Sequence, residues 1–494
     1  MKSISRYIVF VCCFISVYSS KVFAQTFSWA QAKIGTGIYA TGVTACTSDT
    51  NNNLISIGYF NGTVDFDPGP SVYALTAVGN LNMFILKQDA FGNFLWVKQI
   101  AGISSNVFGC FGKGVRVDGY GNIYTGGSYR DSFDFDPGPA IYKLSSLGGD
   151  HCFVLKLDAT GNFIWAKTMG SNTTVGAMQM LSMTSDSLSN IYFSASIGGT
   201  ATPVVLDVDP GPIVYNIVSP AAGSGSQDIL IEKMDSAGNF IWAKQVSGLA
   251  DKDPWSLAVD NFSNVFVTGQ FQSTADFDPG PAIANLTSAG GYDIFIAKYD
   301  AAGSYVWAKR VGSANDDVGY GITVDRLGNA IVGGYFSGTV DFDPGSGTYN
   351  LTSNSTRSAF TLKLNSNGDF KWANKTGANV GLFTSGIVTT DSVGNVYNGL
   401  VLPNSCDINP STGVFTVPSG VAVQKLDSSG NFVWGAGWQG DNPSWIHLDD
   451  NYSVYTTGTF SGSNKDFDPG PGTYYLSGSG QGSGFIHKMC QGTP

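Results

Sequence analysis

Asp276-Phe277-Asp278-Pro279-Gly280-Pro281 returns along this chain at a regular spacing. Copies stand at 65–70, 134–139, 207–212 with Val208 for Phe, 341–346 with Ser346 for the last Pro, and 466–471. A worn copy, Asp407-Ile408-Asn409-Pro410, completes a set of seven. From Asp65 to Asp466 is 401 residues over six intervals. A fixed period of tens of residues marks a stacked or radial repeat.

Within the best-preserved unit, 255–260, 264–271, 294–300 and 304–311 are short runs rich in β-branched and aromatic residues, the last containing Trp307. Such runs are strands, and four per unit make a propeller blade. Turns of the form Asp-x-x-Gly-Asn at 118–122, 158–162, 235–239, 325–329, 391–395 and 427–431 join first to second and third to fourth strands. An Asp that bonds the backbone two residues on and a Gly that supplies positive φ suit them to tight hairpins, so they form one rim. The long connections, including the Asp-Phe-Asp-Pro-Gly-Pro insert, gather on the other.

The chain ends carry the closure. The seventh unit stops at its third strand, while Phe27-Ser28-Trp29-Ala30-Gln31 matches Phe240-Ile241-Trp242-Ala243-Lys244. The expectation is therefore an all-β, seven-bladed β-propeller of four-stranded antiparallel blades, with an N-terminal strand at about 26–34 completing the last blade and removing the open sheet edge. Residues 25–490 form one propeller domain, and 491–494 form a tail.

Lys2 and Arg6, an apolar core and Val22-Phe23-Ala24 make 1–24 a secretory signal peptide, which places the product outside the cytoplasm, secreted or on the cell surface. No later run has the length of a transmembrane helix. The net charge of −11 becomes −14 once the three signal cations are removed, a field that repels nucleic acid and welcomes cations. Glu232 is the only glutamate among 37 acidic residues, and charged residues are 13% against a usual ~25%, which suits strands and turns. Cys46, Cys110, Cys152, Cys406 and Cys490 follow neither the repeat nor a metal-ligand spacing, and are read as small buried residues with room for one disulfide. A monomer is expected.

Val306-Trp307-Ala308-Lys309, then Gly319-Tyr320-Gly321-Ile322-Thr323-Val324-Asp325, Gly328-Asn329 and Ala359-Phe360-Thr361-Leu362-Lys363-Leu364 resemble the bacterial seven-bladed β-propeller (SBBP) repeat. The insert is similar to a variant in secreted proteins of the Bacteroidota. The resemblance implies an exported or surface-displayed propeller and no particular reaction.

The candidate metal site is the repeated acid pair: Asp65 and Asp67, Asp134 and Asp136, Asp207 and Asp209, Asp276 and Asp278, Asp341 and Asp343, Asp466 and Asp468. In an extended Asp-Phe-Asp both carboxylates face one way, and Pro-Gly fits a type II turn. One reading makes the pair half of a calcium site, completed by Asp251 and Asp253 or by Asn315, Asp316 and Asp317 on neighbouring long loops. The other makes the Asp residues caps of backbone amides, paired with the third-strand lysines Lys87, Lys156, Lys233, Lys298, Lys363, Lys425 and Lys488, while the Phe packs between blades.

No cofactor is demanded by the pattern. Leu-Asp-x-x-Gly-Asn-Phe-x-Trp, as at 234–242 with Met234, looks like the tryptophan-docking repeat of quinone-cofactor dehydrogenases, but the adjacent Cys pair over the cofactor occurs here only as Cys12-Cys13 in the signal. A carbohydrate-active enzyme, glycosidase or lyase, would sit on the long-loop face with a privileged pair of acids. His151, His447 and His487 stand in different units as isolated strand residues. The pattern favours a binding, adhesion or scaffold module for a surface protein or glycan over an enzyme.

Overall fold

Lys252–Val259, Val265–Phe271, Asp293–Tyr299 and Tyr305–Val311 pair antiparallel in sequence order, and the same order recurs in every repeat. The computed structural model describes residues 25–105, 107–171, 177–198, 202–219, 226–353, 356–376 and 387–491; the expected signal peptide lies outside them. In the seventh repeat the outer strand is Gln25–Lys33, which pairs with Ser483–Gln491 and sets Ala30 opposite His487. The result is a ring of seven antiparallel blades, a β-propeller closed by its N-terminal strand.

Each middle strand is covered on both faces by adjacent blades, so Asp293–Tyr299 is buried along its whole length. The outer strand is less covered, so Tyr305–Val311 is mostly half-buried, with Val306 exposed and Trp307 and Val311 buried. The Asp-x-x-Gly-Asn turns form as expected. Asp158 Oδ1 accepts the amides of Thr160 at 2.8 Å and Asn162 at 2.9 Å, and Gly161 takes φ of 81°.

The long insert differs from expectation, because it is itself a two-stranded hairpin such as Thr274–Asp276 with Asn285–Thr287. That hairpin adds to the outer strand of the preceding blade, with Asp276 opposite Ser247 and Ala275 opposite Gly248. Three inserts extend a neighbour into a six-stranded sheet in this way. At two other junctions one backbone bond and one side-chain bond make the connection: Thr36 donates to Thr63 O at 3.2 Å and its Oγ1 accepts Thr63 N, and Gln439 donates to Asp466 O at 2.8 Å and its Oε1 accepts Asp466 N. The inserts therefore cover outer-strand edges that would otherwise be free to pair with another chain.

The Phe of the motif anchors its hairpin. Phe277 is fully buried against Phe295 of its own blade, with ring centroids 5.1 Å apart, and Phe66 meets Phe84 in the same way at 4.8 Å. Val208 and Ile408 fill that position in the variant copies.

The third-strand lysines lie on the opposite rim from the motif, which corrects the expected pairing with its aspartates. Lys298 Nζ donates to Ser366 O of the next blade at 3.0 Å, and Lys156 to Ser236 O at 3.2 Å. Where the lysines ion-pair, they do so with the first Asp of a rim turn, as in Lys87–Asp49 and Lys363–Asp325, both 2.9 Å. Trp307 Nε1 reaches the same Ser366 carbonyl at 3.2 Å, so the outer-strand Trp bonds one blade to the next. Cys46, Cys110, Cys152 and Cys490 are free thiols, so the disulfide allowed for among the five does not form.

Candidate functional site

The acid pairs adopt one arrangement throughout. Asp276 Oδ1 accepts the amides of Asp278 at 3.1 Å and Ala284 at 2.8 Å, while Asp278 Oδ1 accepts Gly280 N at 2.8 Å. The equivalent bonds occur at Asp65 and Asp67, Asp134 and Asp136, Asp207 and Asp209, Asp341 and Asp343, and Asp466 and Asp468. Gly280 is absent from the positive-φ residues, so Pro279-Gly280 is not the expected type II turn. The Asp278 side chain closes the turn in place of a backbone carbonyl.

The loop acids expected to complete a calcium shell are engaged elsewhere. Asp253 accepts from Ser196 Oγ and Gln270 Nε2, both at 2.9 Å, and Asp251 from the Gln227 amide at 3.0 Å. Asp317 accepts the amides of Ser313 and Ser337. Among the described residues no three His, Cys, Asp or Glu side chains converge as metal ligands do. Each pair retains its second carboxylate oxygens, whereas calcium takes six to eight.

A different site lies on the ring axis. The first strands of all seven blades enclose a channel of about 610 Å³. In five described blades the first strand carries a bulge early in its course, and a bulge re-aims a side chain. Thr44, Lys113, Leu181, Tyr320 and Ser444 are the extra residues, and all line the channel near the long-loop face. In the fourth blade Pro254 and Trp255 occupy the irregular stretch, and Trp255 lines the channel. Three residues further along, Thr47, Arg116, Thr184, Ala258, Thr323 and His447 form a second tier.

The described wall holds Lys113, Arg116, His447 and the Tyr320 phenol as its ionisable groups and no carboxylate. Arg116 donates from Nε to Thr184 Oγ1 at 3.1 Å and from Nη1 to Val115 O at 2.8 Å, and its guanidinium lies 5.3 Å from the Trp445 ring centroid. Enclosure by protein lowers Arg116 to about 10. Lys113, open to the lumen yet surrounded by blades, is also held below its usual value by desolvation. Burial, reinforced by Arg116, brings His447 down to about 3, so it is neutral and bonds Ser48 Oγ at 2.8 Å. His447 is thus part of the channel wall rather than an isolated strand residue.

At the long-loop mouth, Trp255 and Tyr320 have ring centroids 5.4 Å apart. Tyr335 follows Tyr320 at 5.8 Å, and the Arg357 guanidinium lies 4.3 Å from the Tyr335 centroid. Trp255 and Tyr320, both partly exposed, therefore form an aromatic platform at the mouth, backed by the buried Tyr335 of the fifth blade. The two-carboxylate chemistry of a glycosidase has no acid pair in the described wall.

A family model, the beta-propeller repeat, matches residues 306–335. That stretch contains 306–309, 319–325 and 328–329 of the SBBP resemblance, while 359–364 lies beyond it. The chain is 25% identical to an uncharacterized WD repeat-containing protein of Acanthamoeba polyphaga mimivirus, over 70% of this chain and 34% of the relative. It is 26% identical to the regulatory protein FlaEY of Caulobacter vibrioides, over 45% of this chain and 22% of that protein. The chain thus spans a third or less of these curated relatives. Among solved structures, the Dos1 propeller covers 96% of both chains at 8% identity and a TM-score of 0.41.

The channel residues are not evident from motif reading because the repeat hides them. Aligning first strands on their terminal Asp exposes the signal: Lys113 stands in a column held elsewhere by Thr44, Leu181, Trp255, Tyr320, Gly386 and Ser444, and Arg116 in one held by Thr47, Thr184, Ala258, Thr323, Thr389 and His447.

Proposed function

We propose that this chain is a binding or scaffold propeller acting outside the cytoplasm, with the long-loop face and the channel opening there as its working surface. The observation that carries the reading is the aromatic platform of Trp255 and Tyr320, which meets an enclosed channel at the mouth. Concave sites combining apolar walls with a few polar groups are where proteins hold small ligands. The leader at 1–24 supports export. The test is a screen of residues 25–494 against immobilised glycans and surface proteins, repeated with a Trp255→Ala/Tyr320→Ala variant and with Asp158→Asn on the opposite rim. Binding lost in the first variant and kept in the second supports the reading. Binding unaffected by the mouth variant counts against it.

A further inference from the structure

The chain is acidic, and most of its enclosed cations are neutralised. Lys252 meets Asp228 at 3.0 Å, Arg310 meets Asp293 at 2.6 Å, and Lys363 meets Asp325 at 2.9 Å. Others, such as Lys298, rest on a carbonyl and an aromatic ring instead, and the channel cations join that minority. Arg116 and Lys113 stand three residues apart on one strand, and neither has a carboxylate partner among the described residues. Arg116 has five N–H donors in a planar fork, and its protein acceptors are one hydroxyl and one carbonyl. A cation withdrawn from bulk water without a counter-charge attracts an anion strongly, and low-dielectric walls focus that attraction.

The rest of the wall indicates what the anion is attached to. Trp255 Nε1 is closed off from the lumen, so the indole meets a ligand through its ring face. The Trp255 and Tyr320 rings offer apolar faces, and Ser256, Thr323 and Thr184 offer hydroxyls. A pyranose ring matches both features, because its C–H face packs on an aromatic ring while its rim of hydroxyls exchanges hydrogen bonds. The channel volume of about 610 Å³ falls within the ~300–1,000 Å³ of small-ligand sites.

Resting on the reading that ligand enters at the long-loop face, we propose that the channel binds a carboxylated saccharide, with Arg116 and Lys113 taking the carboxylate and Trp255 and Tyr320 taking the sugar face. The planar guanidinium suits a carboxylate because two parallel N–H···O bonds can form.

The test is calorimetric titration of residues 25–494 with trimers of galacturonate, glucuronate and mannuronate, each against its methyl ester, which keeps the ring and removes the charge. At least one acid should bind, tenfold or more tighter than its ester, and weaken as salt rises. Arg116→Met and Lys113→Met should each lower that affinity tenfold or more while melting within a few degrees of the parent protein. Arg116→Lys should recover part of the loss, which separates charge from simple structural support. Equal binding of acid and ester, no binding by any trimer, or full binding by Arg116→Met would overturn the proposal. Inorganic phosphate or sulfate displacing the trimers at equal affinity would overturn the saccharide assignment. If a glycan or protein binds at the mouth through Trp255 without dependence on Arg116, the working-face reading stands and the carboxylate site falls.

Discussion

Lys488 donates to the carbonyl of Ala90 at 2.8 Å across 398 residues of chain, joining the last blade to the first. The bond is one of six of its kind, since lysines 87, 156, 233, 298 and 363 each reach a turn carbonyl in the following blade. Here it closes a ring whose last blade is built from both ends of the chain.

That closure can be locked. Thr26 lies opposite Cys490 in the antiparallel pair, and such partners have Cα atoms ~4.5–5.5 Å apart, within reach of a disulfide. Thr26→Cys should oxidise with Cys490 and stabilise the protein by about 2–4 kcal/mol, lost again on reduction. Failure to raise the melting temperature after proven oxidation would show that ring opening does not limit unfolding.

The lysine stitches differ in consequence. Lys363→Met leaves Asp325 buried without its 2.9 Å ion pair and should cost about 3–5 kcal/mol. Lys298→Met removes a bond to Ser366 O and a contact with the Phe266 ring, for an expected loss of about 1–2 kcal/mol. Urea unfolding at pH 7 measures both, and equal losses would contradict the assigned role of Asp325.

His487 sets part of the acid limit. It is fully buried, stacks on Trp438 at 4.0 Å and bonds Phe467 O, and burial brings it down to about 3 from its ordinary 6.5. The folded state therefore prefers the neutral ring; this stabilisation is complete above about pH 6.5 and fades as pH falls toward 3, by at most ~1.4 kcal/mol per unit. Gln424 makes the equivalent bond to Ile408 O in the sixth blade, so Gln fits the position. His487→Gln should lose about 1 kcal/mol at pH 7 with the stacking, yet melt above the parent at pH 4.5. Melting curves that keep the same order at both pH values would refute the linkage.

Glu232 occupies the corresponding position in the third blade, fully buried with both carboxylate oxygens unpartnered. Burial, with Asp209 and Asp207 adding repulsion, pushes its carboxyl well above the usual range. A raised value makes the folded state lose stability as pH climbs above the ordinary value near 4.5. Glu232→Gln should thus gain about 1–2 kcal/mol at pH 8 and less at pH 4.5. A loss at pH 8 would show that the carboxylate is satisfied in solution.

The acidic motif is expected to act through its amide caps. Asp276→Ala should cost about 1–2 kcal/mol because two amides lose their acceptor. The melt should be the same with calcium and with chelator. A large calcium-dependent rise, with several ions per chain on metal analysis, would make the second carboxylate oxygens of the pairs calcium ligands.

The period, the four apolar runs per unit and the match of 27–31 to 240–244 were enough to read the propeller and its closure. Each rests on local pattern repeated sevenfold, and repetition averages away the ambiguity of any one strand. The turn chemistry was legible for the same reason, since an Asp bonding two residues on is a short-range event. Partners separated by a blade were not legible. The motif aspartates and third-strand lysines recur in step, yet they stand on opposite rims. Likewise Lys113, Trp255 and Tyr320 share one column of the repeat and Arg116 stands in another, but they come from three different blades, and no local pattern unites them.

By itself the sequence determined the blade, its count and the rim on which each turn lies, because hydrophobic period and turn residues act within a few residues of chain. Only the tertiary structure decided that the insert covers a neighbouring blade's edge and that two cations with no carboxylate partner among the described residues share a channel with Trp255 and Tyr320. Those relations arise when seven blades close around one axis, which brings together side chains more than a hundred residues apart.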